Sequence, residues 1–503
     1  MNKFSFSPDF SQSKDRKISE NADKAAEDLR TILGNTMDLN IMNIQINGVK
    51  CLFVTIEGMV STSSMSELVF RPVMESRKFV KTSQDMYKFL TQESLLAAER
   101  VTVYNYGDLI TRLFSGFCGI IVDKTGSAVT FGIQGYDKRS VATPESEQTV
   151  RGSQDSFTET IRTNLSLVRR RMKTPSLRFE MMQIGEKSTT DVCMMYLCDR
   201  VSPDILEQIR KRLKSIRLDT VLNTGYIEPF IDSSYSESIF SSVITTERPD
   251  LACARLNEGK VCILVDGTPF CMICPSLFSE HFQTMDDYCE KRFYATFSKW
   301  LKYISFFLGI AFPGIYVALV MFHPEVFTLK LLLNLATSEE ATPYPIVLEV
   351  IMLMGLFEIM REAGLRLPKS IGSTVSIVGG LIIGDAAVKS GLVSAPLLIV
   401  VGITATASFA IPSLYQPVSI MRLVFILAGG FGGLFGIAVC FFLLMVNINA
   451  MNDFNVSFTA PVTPFYKEGF TDVVSRRSFR NYEKTKYTVE DYRPQRNPGK
   501  EEN

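Results

Sequence analysis

The sequence predicts a two-part protein, with an N-terminal region of two α+β or α/β subdomains followed by a polytopic α-helical membrane domain. Residues 1–300 have the mixed, charged composition of soluble proteins, and a stretch of that length accommodates about two domains. Residues 301–446 are rich in glycine and nearly free of charge, and they contain five apolar segments in succession. Because about 20 apolar residues cross a bilayer, this succession predicts membrane spans.

Residues 1–36 are predicted to form a disordered arm followed by a first helix. The arm is polar, and apolar or alanine residues then recur at helical spacing over Glu20–Leu33, with Gly34 where a helix C-cap is expected. The N-terminus has no apolar signal region, which predicts that the N-terminal region stays in the cytosol. Lys299 and Lys302, at the entrance of the first span, fit that orientation.

Two hairpins and several helical patterns predict the two subdomains. One pair of strands flanks Asn47-Gly48 and another flanks Asp266-Gly267, and both dipeptides are strong turn signals. Pro203–Ile216, with Ser202 as its N-cap, is a clear amphipathic helix. This mixture of strands and helices predicts two small α/β or α+β units. The predicted boundaries are 37–136 for the first subdomain, 137–155 for a linker and 156–277 for the second subdomain.

A run of three arginines, Arg169–Arg171, ends the helix predicted over Phe157–Met172. Cations in the last turn of a helix interact favourably with the negative end of the helix dipole. On one interpretation, the three arginines cap the helix and are otherwise solvated. On the other, they dock to anionic lipid or to a partner subunit. A run of three is shorter than the usual polybasic cluster, which favours the first interpretation.

The membrane domain is predicted over 301–446, after an amphipathic connector at 278–300. Its third apolar segment is weaker than the others and is either a span or a re-entrant segment, so that four or five spans result. The polar tail at 447–503 is predicted to be cytosolic and disordered. The five segments are Leu301–Phe322, Ile346–Ile359, Ile371–Val388, Leu392–Ile411 and Leu423–Val446.

Glu349 is the main candidate for an ion pathway. It lies inside the second segment with no basic residue within four positions, and an unpaired acid in a membrane suggests an ion or proton path. Alternatively, it is neutralised by protonation or by a polar neighbour on another helix. Glu358 and Asp385 are weaker candidates, because Arg361 and Lys389 lie within one helical turn of them.

Small residues recur at helical spacing in the third and fifth segments. In the third, one face carries small and partly polar residues, which either pack against another helix or line a narrow pore formed by several copies. In the fifth, overlapping GxxxG pairs predict helix packing. The candidate pathway residues of the third segment are Ser373, Ser376, Gly380, Gly384 and Asp385, and the packing residues of the fifth are Gly429, Gly430, Gly432, Gly433 and Gly436.

Several function classes are disfavoured. The formal net charge of +0 argues against a nucleic-acid partner. The sequence has no Walker A, GxSxG or HExxH motif and no dinucleotide-binding fingerprint, so we expect neither an enzyme nor a cofactor. The CxxC spacing of Cys271 and Cys274 lacks a second pair at zinc-ribbon spacing, so we expect buried thiols rather than a metal site.

Several specific strings of this sequence match one known family. The strings are Lys138–Val141 with Pro144-Glu145, Arg151-Gly152, Arg162–Arg171, Glu258–Val261, Val265–Phe270, Arg361–Pro368 and Ile371-Gly372. With these strings the chain resembles the A subunits of GerA-type spore germinant receptors of endospore-forming bacteria. The resemblance runs from about Asn40 to Val446, and it departs from the family pattern at Ser153–Phe157.

The resemblance implies a protein of the inner spore membrane with a two-part cytosolic domain. It implies assembly with a transporter-like B subunit and a lipoprotein C subunit, and self-association into a nutrient-gated cation channel that triggers germination. Two alternatives remain open: a non-conducting scaffold that anchors the B and C subunits, and the sporulation-operon paralogue of the A subunit that amplifies germination.

Overall fold

The computed structural model describes residues 14–75, 80–92, 98–135, 143–367, 384–476 and residue 489. Three candidate pathway residues, Ser373, Ser376 and Gly380, lie outside the described residues. The described chain forms two subdomains that each contain a sheet, then a group of long helices, and then a C-terminal segment that contacts both parts.

The first subdomain is an antiparallel five-stranded sheet between two layers of helices. Its strand order is β1-β2-β4-β5-β3. Its strands are β1 Leu39–Ile46, β2 Val49–Ile56, β3 Glu99–Val103, β4 Phe117–Val122 and β5 Ala128–Gly132. Its helices are α1 Ala22–Leu33, α2 (the consecutive turns Thr62–Met65, Ser66–Phe70 and Arg71–Glu75), α3 Ser83–Gln92 and α4 Tyr106–Leu113.

Side-chain alternation along β2 shows why the sheet carries helices on both faces. Leu52 and Val54 point into a core that they share with α1 and α4, whereas Phe53 points into the core beneath α2 and α3. A strand with apolar residues on both faces must be covered on both sides. The helix ends follow local rules: the Asn21 side chain caps the start of α1, and Gly34, with φ of 62°, ends it.

The second subdomain repeats this plan. Its sheet order is β6-β7-β9-β10-β8, so that each subdomain has two hairpins side by side and one edge strand next to the second hairpin. Its strands are β6 Leu177–Ile184, β7 Thr190–Leu197, β8 Ile244–Thr246, β9 Val261–Val265 and β10 Cys271–Cys274. Its helices are α5 Ile161–Arg171, α6 Pro203–Ser215, α7 Glu228–Ile231 and α8 Pro249–Asn257.

The CxxC pair lies on β10, where strand geometry separates its two thiols. Residues three apart in a strand point to opposite faces, so Cys271 lies in the core beneath α5 and α8 and Cys274 in the core beneath α6. Each Sγ contacts a backbone carbonyl, Cys271 that of Met272 and Cys274 that of Val261. Burial raises the pKa of the Cys274 thiol, which disfavours the thiolate form.

A buried ion pair joins the two subdomains. Arg169 on α5 donates from Nε to Asp38 Oδ2 at 2.7 Å and from Nη2 to Asp38 Oδ1 at 3.1 Å. Its guanidinium also lies 4.9 Å from the centroid of the Phe114 ring and 4.5 Å from that of Phe179. Both charged side chains are almost fully buried, so the pair fixes one subdomain against the other.

The long helices follow a short connection. Phe278–Phe282 is a 3₁₀ turn and α9 is Asp286–Cys289, and α10 already begins at Arg292, within the predicted connector. The remaining helices are α10 Arg292–Phe322, α11 Leu329–Glu340, α12 Ile346–Arg366, α13 Ala395–Phe409 and α14 Tyr415–Ala450. Pro313 lies inside α10, which continues through it.

Two of these helices, α10 and α14, are long and apolar enough to cross a membrane. The fourth predicted segment forms α13, which has 15 residues and is apolar but shorter. The second forms the first two thirds of α12, a 21-residue helix with charged residues toward its C-terminus. Of the third segment, the structure describes only the residues from Gly384, which form a helical turn.

The prediction of a disordered tail from residue 447 is wrong for the described part up to residue 476. Phe454, Val456 and Ala460 complete the core beneath α6, and Phe458 packs in the core shared with α10 and α14. These apolar residues recur at every second position, a signal that the polar average composition of the tail hides. The segment then forms α15, Lys467–Val474. We call residues 451–476 the strap.

Candidate functional site

Glu349 lies in the first turn of α12 and is fully buried. Its Oε2 accepts the backbone N–H of Ser394 at 3.3 Å, and Ser394 is the N-cap of α13. The carboxylate therefore lies at the N-terminal ends of two helices, where the helix dipoles favour negative charge. Among the described residues no lysine or arginine pairs with it, and its Oε1 has no hydrogen-bond partner.

Three other polar groups surround this carboxylate: the Tyr316 hydroxyl on α10, the Glu339 carboxylate on α11 and the Ser394 hydroxyl. Ser394 Oγ faces both Tyr316 and Glu339, and both of these lie within electrostatic reach of Glu349. The surrounding walls are apolar, with Val317, Ile346, Val350, Val393 and Leu397. Four elements thus bring oxygen atoms together in an apolar part of the helical region.

The structure does not bring Asp385 to Glu349. Asp385 lies on an exposed helical turn, where its Oδ2 accepts from Lys389 Nζ at 2.7 Å. The neighbouring Gly384 faces Leu398 on α13. The ion pair of Asp385 with Lys389, which the i, i+4 spacing predicts, is confirmed. The Asp385 carboxylate is therefore neutralised within its own helical turn.

Glu358 belongs to a second polar cluster, at the other end of α12. It pairs with Arg361 at 3.1 Å, as the spacing predicts, and accepts hydrogen bonds from the hydroxyls of Tyr415 (2.8 Å) and Ser419 (2.7 Å) on α14. Arg422 Nη1 lies 3.5 Å from the same carboxylate. The Glu358 carboxylate therefore joins α12 to α14 through ion pairs and hydrogen bonds, and both of its oxygens have partners.

Arg422 is a residue that the sequence reasoning missed. It is 2% exposed, its Nε donates to the Gly309 carbonyl on α10 at 2.9 Å, and its Nη2 donates to Ser408 on α13. It is also the one charged residue in the sequence of α14, and this was the available signal. A lone buried guanidinium among apolar residues must find partners, and here it connects four helices.

The glycines of α14 have different surroundings. A Cβ on Gly429 would lie 2.3 Å from the Gly314 carbonyl oxygen of α10, and one on Gly430 would lie 2.6 Å from Val347 of α12. Gly433 has φ of 57° and interrupts the helical geometry of α14 beside Phe322. A Cβ on Gly436 would meet the Ala428 carbonyl at 2.3 Å, and one on Gly432 would meet no described atom within 4 Å.

An aromatic cluster joins the second subdomain, the start of α10 and the strap. The Phe278 ring lies 5.6 Å from that of Phe306 on α10 and 5.8 Å from that of Phe458 on the strap, between ring centroids. Phe282 stacks on Tyr303 at 4.3 Å. Phe240 of the second subdomain lies 6.0 Å from Phe278 between ring centroids, so the cluster is a continuous packing contact from that subdomain to α10.

Comparisons with known proteins agree on one family. The chain matches the family model of the Bacillus/Clostridium GerA spore germination protein over residues 27–487. It is 34% identical over 467 residues to spore germination protein KA of Bacillus subtilis strain 168, covering 91% of this chain and 85% of that protein. It is 33% identical over 457 residues to spore germination protein GerLA of Bacillus cereus, covering 90% and 92%.

One solved structure is also similar. It is the crystal structure of the N-terminal domain of the A subunit of the Bacillus megaterium spore germinant receptor GerK3, with 30% identity and a TM-score of 0.43. The match covers 52% of this chain and 97% of that one.

Proposed function

The chain belongs to the GerA family of spore germination proteins, and from that premise we propose that it is the A subunit of a germinant receptor. In this role it oligomerises in the inner spore membrane into a nutrient-gated cation channel, with its two subdomains in the cytosol. A transporter-like B subunit and a lipoprotein C subunit are its partners. Relatives at 33–34% identity over nine tenths of the chain support the receptor role.

The observation that carries the channel proposal is the buried carboxylate of Glu349, which no cationic side chain of the described residues neutralises. A carboxylate of this kind in an apolar helical region attracts cations and excludes anions. The aromatic cluster around Phe278 provides a mechanical connection from the second subdomain to α10. A nutrient signal received in the receptor complex reaches the helices through that contact.

A non-conducting scaffold is the second candidate, and one contact favours it. Glu349 accepts the N–H of Ser394, so one of its two oxygens has a structural role as a cap between α12 and α13. On this alternative, Glu349→Gln acts only through assembly of the receptor, and the conduit for ions is another protein.

Cation flux from liposomes distinguishes the two functions. The chain is reconstituted alone and together with its B and C partners, and flux is followed before and after addition of nutrient. We expect nutrient-dependent flux with the partners and a reduction of about tenfold in Glu349→Gln, the change that a loss of about 1.4 kcal/mol in cation attraction produces. Glu362→Gln, whose carboxylate pairs with Arg366 on the exposed face of α12, serves as the control.

Intact complexes that give no flux would favour the scaffold. Equal flux in wild type and Glu349→Gln, at equal protein levels, would remove Glu349 from the pathway.

A further inference from the structure

Four buried side-chain oxygens come together where α10, α11, α12 and α13 meet. They are Tyr316 Oη, Glu339 Oε1, Glu349 Oε1 and Ser394 Oγ. The Ser394 hydroxyl lies against the Tyr316 hydroxyl and the Glu339 carboxylate, whereas Glu349 Oε1 is fully buried and has no hydrogen-bond partner among the described residues. Such a carboxylate oxygen is unusual, because buried polar atoms in proteins are nearly always paired with protein or water.

The residues face one common space. Ser394 Oγ lies against both Tyr316 and Glu339, and Tyr316 lies within electrostatic reach of the Glu339 and Glu349 carboxylates. Glu349 is 0% exposed and Ser394 is 3% exposed, so the two central members are fully enclosed by protein. We call these four side chains the oxygen cluster.

The charges of the oxygen cluster require a further positive group. The fully buried Glu349 carboxylate and the half-buried Glu339 carboxylate lie within electrostatic reach of each other, and two like charges so placed are unfavourable unless a cation or a proton balances them. None of the ion pairs of the described residues involves Glu339 or Glu349. The N-terminal ends of α12 and α13 contribute roughly +0.5 charge each, which leaves about one negative charge uncompensated.

The chemistry of the four groups selects the balancing species. Carboxylate and hydroxyl oxygens are ligands of hard cations, whereas soft metals prefer sulfur and nitrogen. A remaining charge of about one matches a monovalent ion. We propose that Tyr316, Glu339, Glu349 and Ser394 form a binding site for a partly dehydrated monovalent cation, Na⁺ or K⁺. This extends the proposed channel function, on which it rests for its role in transport.

Binding is tested on the full-length chain in detergent, without partner subunits. The midpoint of thermal unfolding is measured in NaCl, KCl and N-methyl-D-glucamine chloride at equal ionic strength, at pH 7.5 and pH 6. Equilibrium binding of ²²Na⁺ and ⁸⁶Rb⁺ is measured directly. For wild type we expect saturable stabilisation by Na⁺ or K⁺ over the organic cation, with bound tracer for the stabilising ion.

Isosteric variants define the ligands. Glu339→Gln and Glu349→Gln are expected to raise the apparent Kd of the stabilising cation by at least about tenfold. Ser394→Ala, which keeps the backbone N–H bonded to Glu349, is expected to weaken binding by a smaller factor. Glu340→Gln is the matched control, because it removes the same charge one residue away on the exposed side of α11, and it should bind as wild type does.

Three results would overturn the cation site. The first is equal stability in all three chloride salts together with no bound tracer. The second is a change of stability between pH 7.5 and pH 6 that is the same in all three salts and is lost in both Gln variants, which would indicate a proton shared by Glu339 and Glu349. The third is binding that survives in both Gln variants.

The outcome is separable from the channel test. Nutrient-gated flux without cation binding by the chain would refute this inference alone, whereas specific binding without flux in the intact complex would refute the channel alone.

Discussion

At the scale of single residues, the bidentate pair of Asp38 and Arg169 is the contact on which the arrangement of the two subdomains depends most. Both side chains are almost fully buried, and removing one charge leaves the other uncompensated. Breaking such a pair costs about 3–5 kcal/mol. We therefore expect Asp38→Asn to lower the free energy of unfolding by that amount, measured by denaturant titration followed by circular dichroism.

An exposed pair across the same interface provides the control for that prediction. Glu57 and Arg162 also join the first subdomain to α5, but their side chains are 37% and 66% exposed. An ion pair of this kind contributes about 0–1 kcal/mol. If Glu57→Gln and Asp38→Asn lower the free energy of unfolding equally, burial of the Asp38–Arg169 pair is not the reason for its large contribution.

The arginine run shows what residue-level reasoning could and could not predict. The sequence placed Arg169–Arg171 in the last turn of a helix, and the structure confirms that position. Their partners are not lipid or solvent alone: Arg169 binds Asp38, and Arg170 and Arg171 bind Asp155. These partners are distant in sequence or lie in a segment that was predicted to be a linker, so local spacing carries no information about them.

At the scale of elements, the contact between α10 and α14 depends on backbone approaching backbone. A Cβ at Gly429 would lie 2.3 Å from the Gly314 carbonyl oxygen, which neither helix can accommodate without moving. We expect Gly429→Ala to cost at least about 1–3 kcal/mol, as overpacking does, and to reduce the yield of folded protein. Size-exclusion chromatography in detergent and resistance to trypsin measure this.

Gly432→Ala is the matched control for Gly429→Ala. It lies three residues away on α14, and a Cβ there meets no described atom within 4 Å. Since alanine also favours the helix over glycine, we expect wild-type yield or slightly better. Similar losses in both variants would mean that glycine acts through helix flexibility rather than through close packing.

Elements with strong local signals were predictable from the sequence. The hairpin at Asn47-Gly48 is confirmed, with φ of 49° and 82° at the two turn residues. The hairpin at Asp266-Gly267 is confirmed as well. The strap was missed because its strands, β11 Asn452–Asp453 and β12 Val456–Ser457, are only two residues long. Strands this short give no local signal, and tertiary contacts hold the segment in its ordered conformation.

The oxygen cluster marks the limit of prediction for the candidate site. An apolar segment without basic neighbours was enough to single out Glu349. Tyr316 and Ser394 lie 33 and 45 residues away on other helices, and Glu339 lies beyond the N-terminus of α12. Their convergence depends on how the helices pack, which hydrophobic periodicity in one segment cannot specify.

At the scale of the whole molecule, the strap connects the membrane-like helices back to the second subdomain. Asp453 follows the end of α14 and accepts hydrogen bonds from Arg212 on α6 and from Ser242 near β8. Burial alone would raise the pKa of Asp453, but these partners outweigh burial and lower it. The carboxylate thus stays ionised at neutral pH, and its contribution to stability is lost only as pH falls through that lowered pKa.

The far end of the strap returns to α10, where side chains cap the last turn of α15. The carbonyls of Asp472, Val473 and Val474 have no partner within their own helix, as is usual at a helix C-terminus. They accept hydrogen bonds from Lys299 Nζ, Tyr303 Oη and Trp300 Nε1, the last at 2.9 Å. The second subdomain is therefore connected to α10 by two sets of contacts, the strap and the aromatic cluster.

Truncation after Tyr466 tests whether the strap docks on α10, because the chain has one tryptophan and it lies in that contact. Trp300 is 54% exposed even with α15 in place, and loss of α15 removes the Val474 carbonyl from its indole N–H. We therefore expect a modest increase in the quenching of its fluorescence by acrylamide. Truncation after Arg476, which keeps α15 and all three caps, should quench as wild type does.

If quenching is the same in all three proteins, α15 does not dock on α10, and the strap cannot carry motion from the second subdomain to that helix. If only the shorter truncation differs while cation flux stays gated, the aromatic cluster is sufficient for coupling.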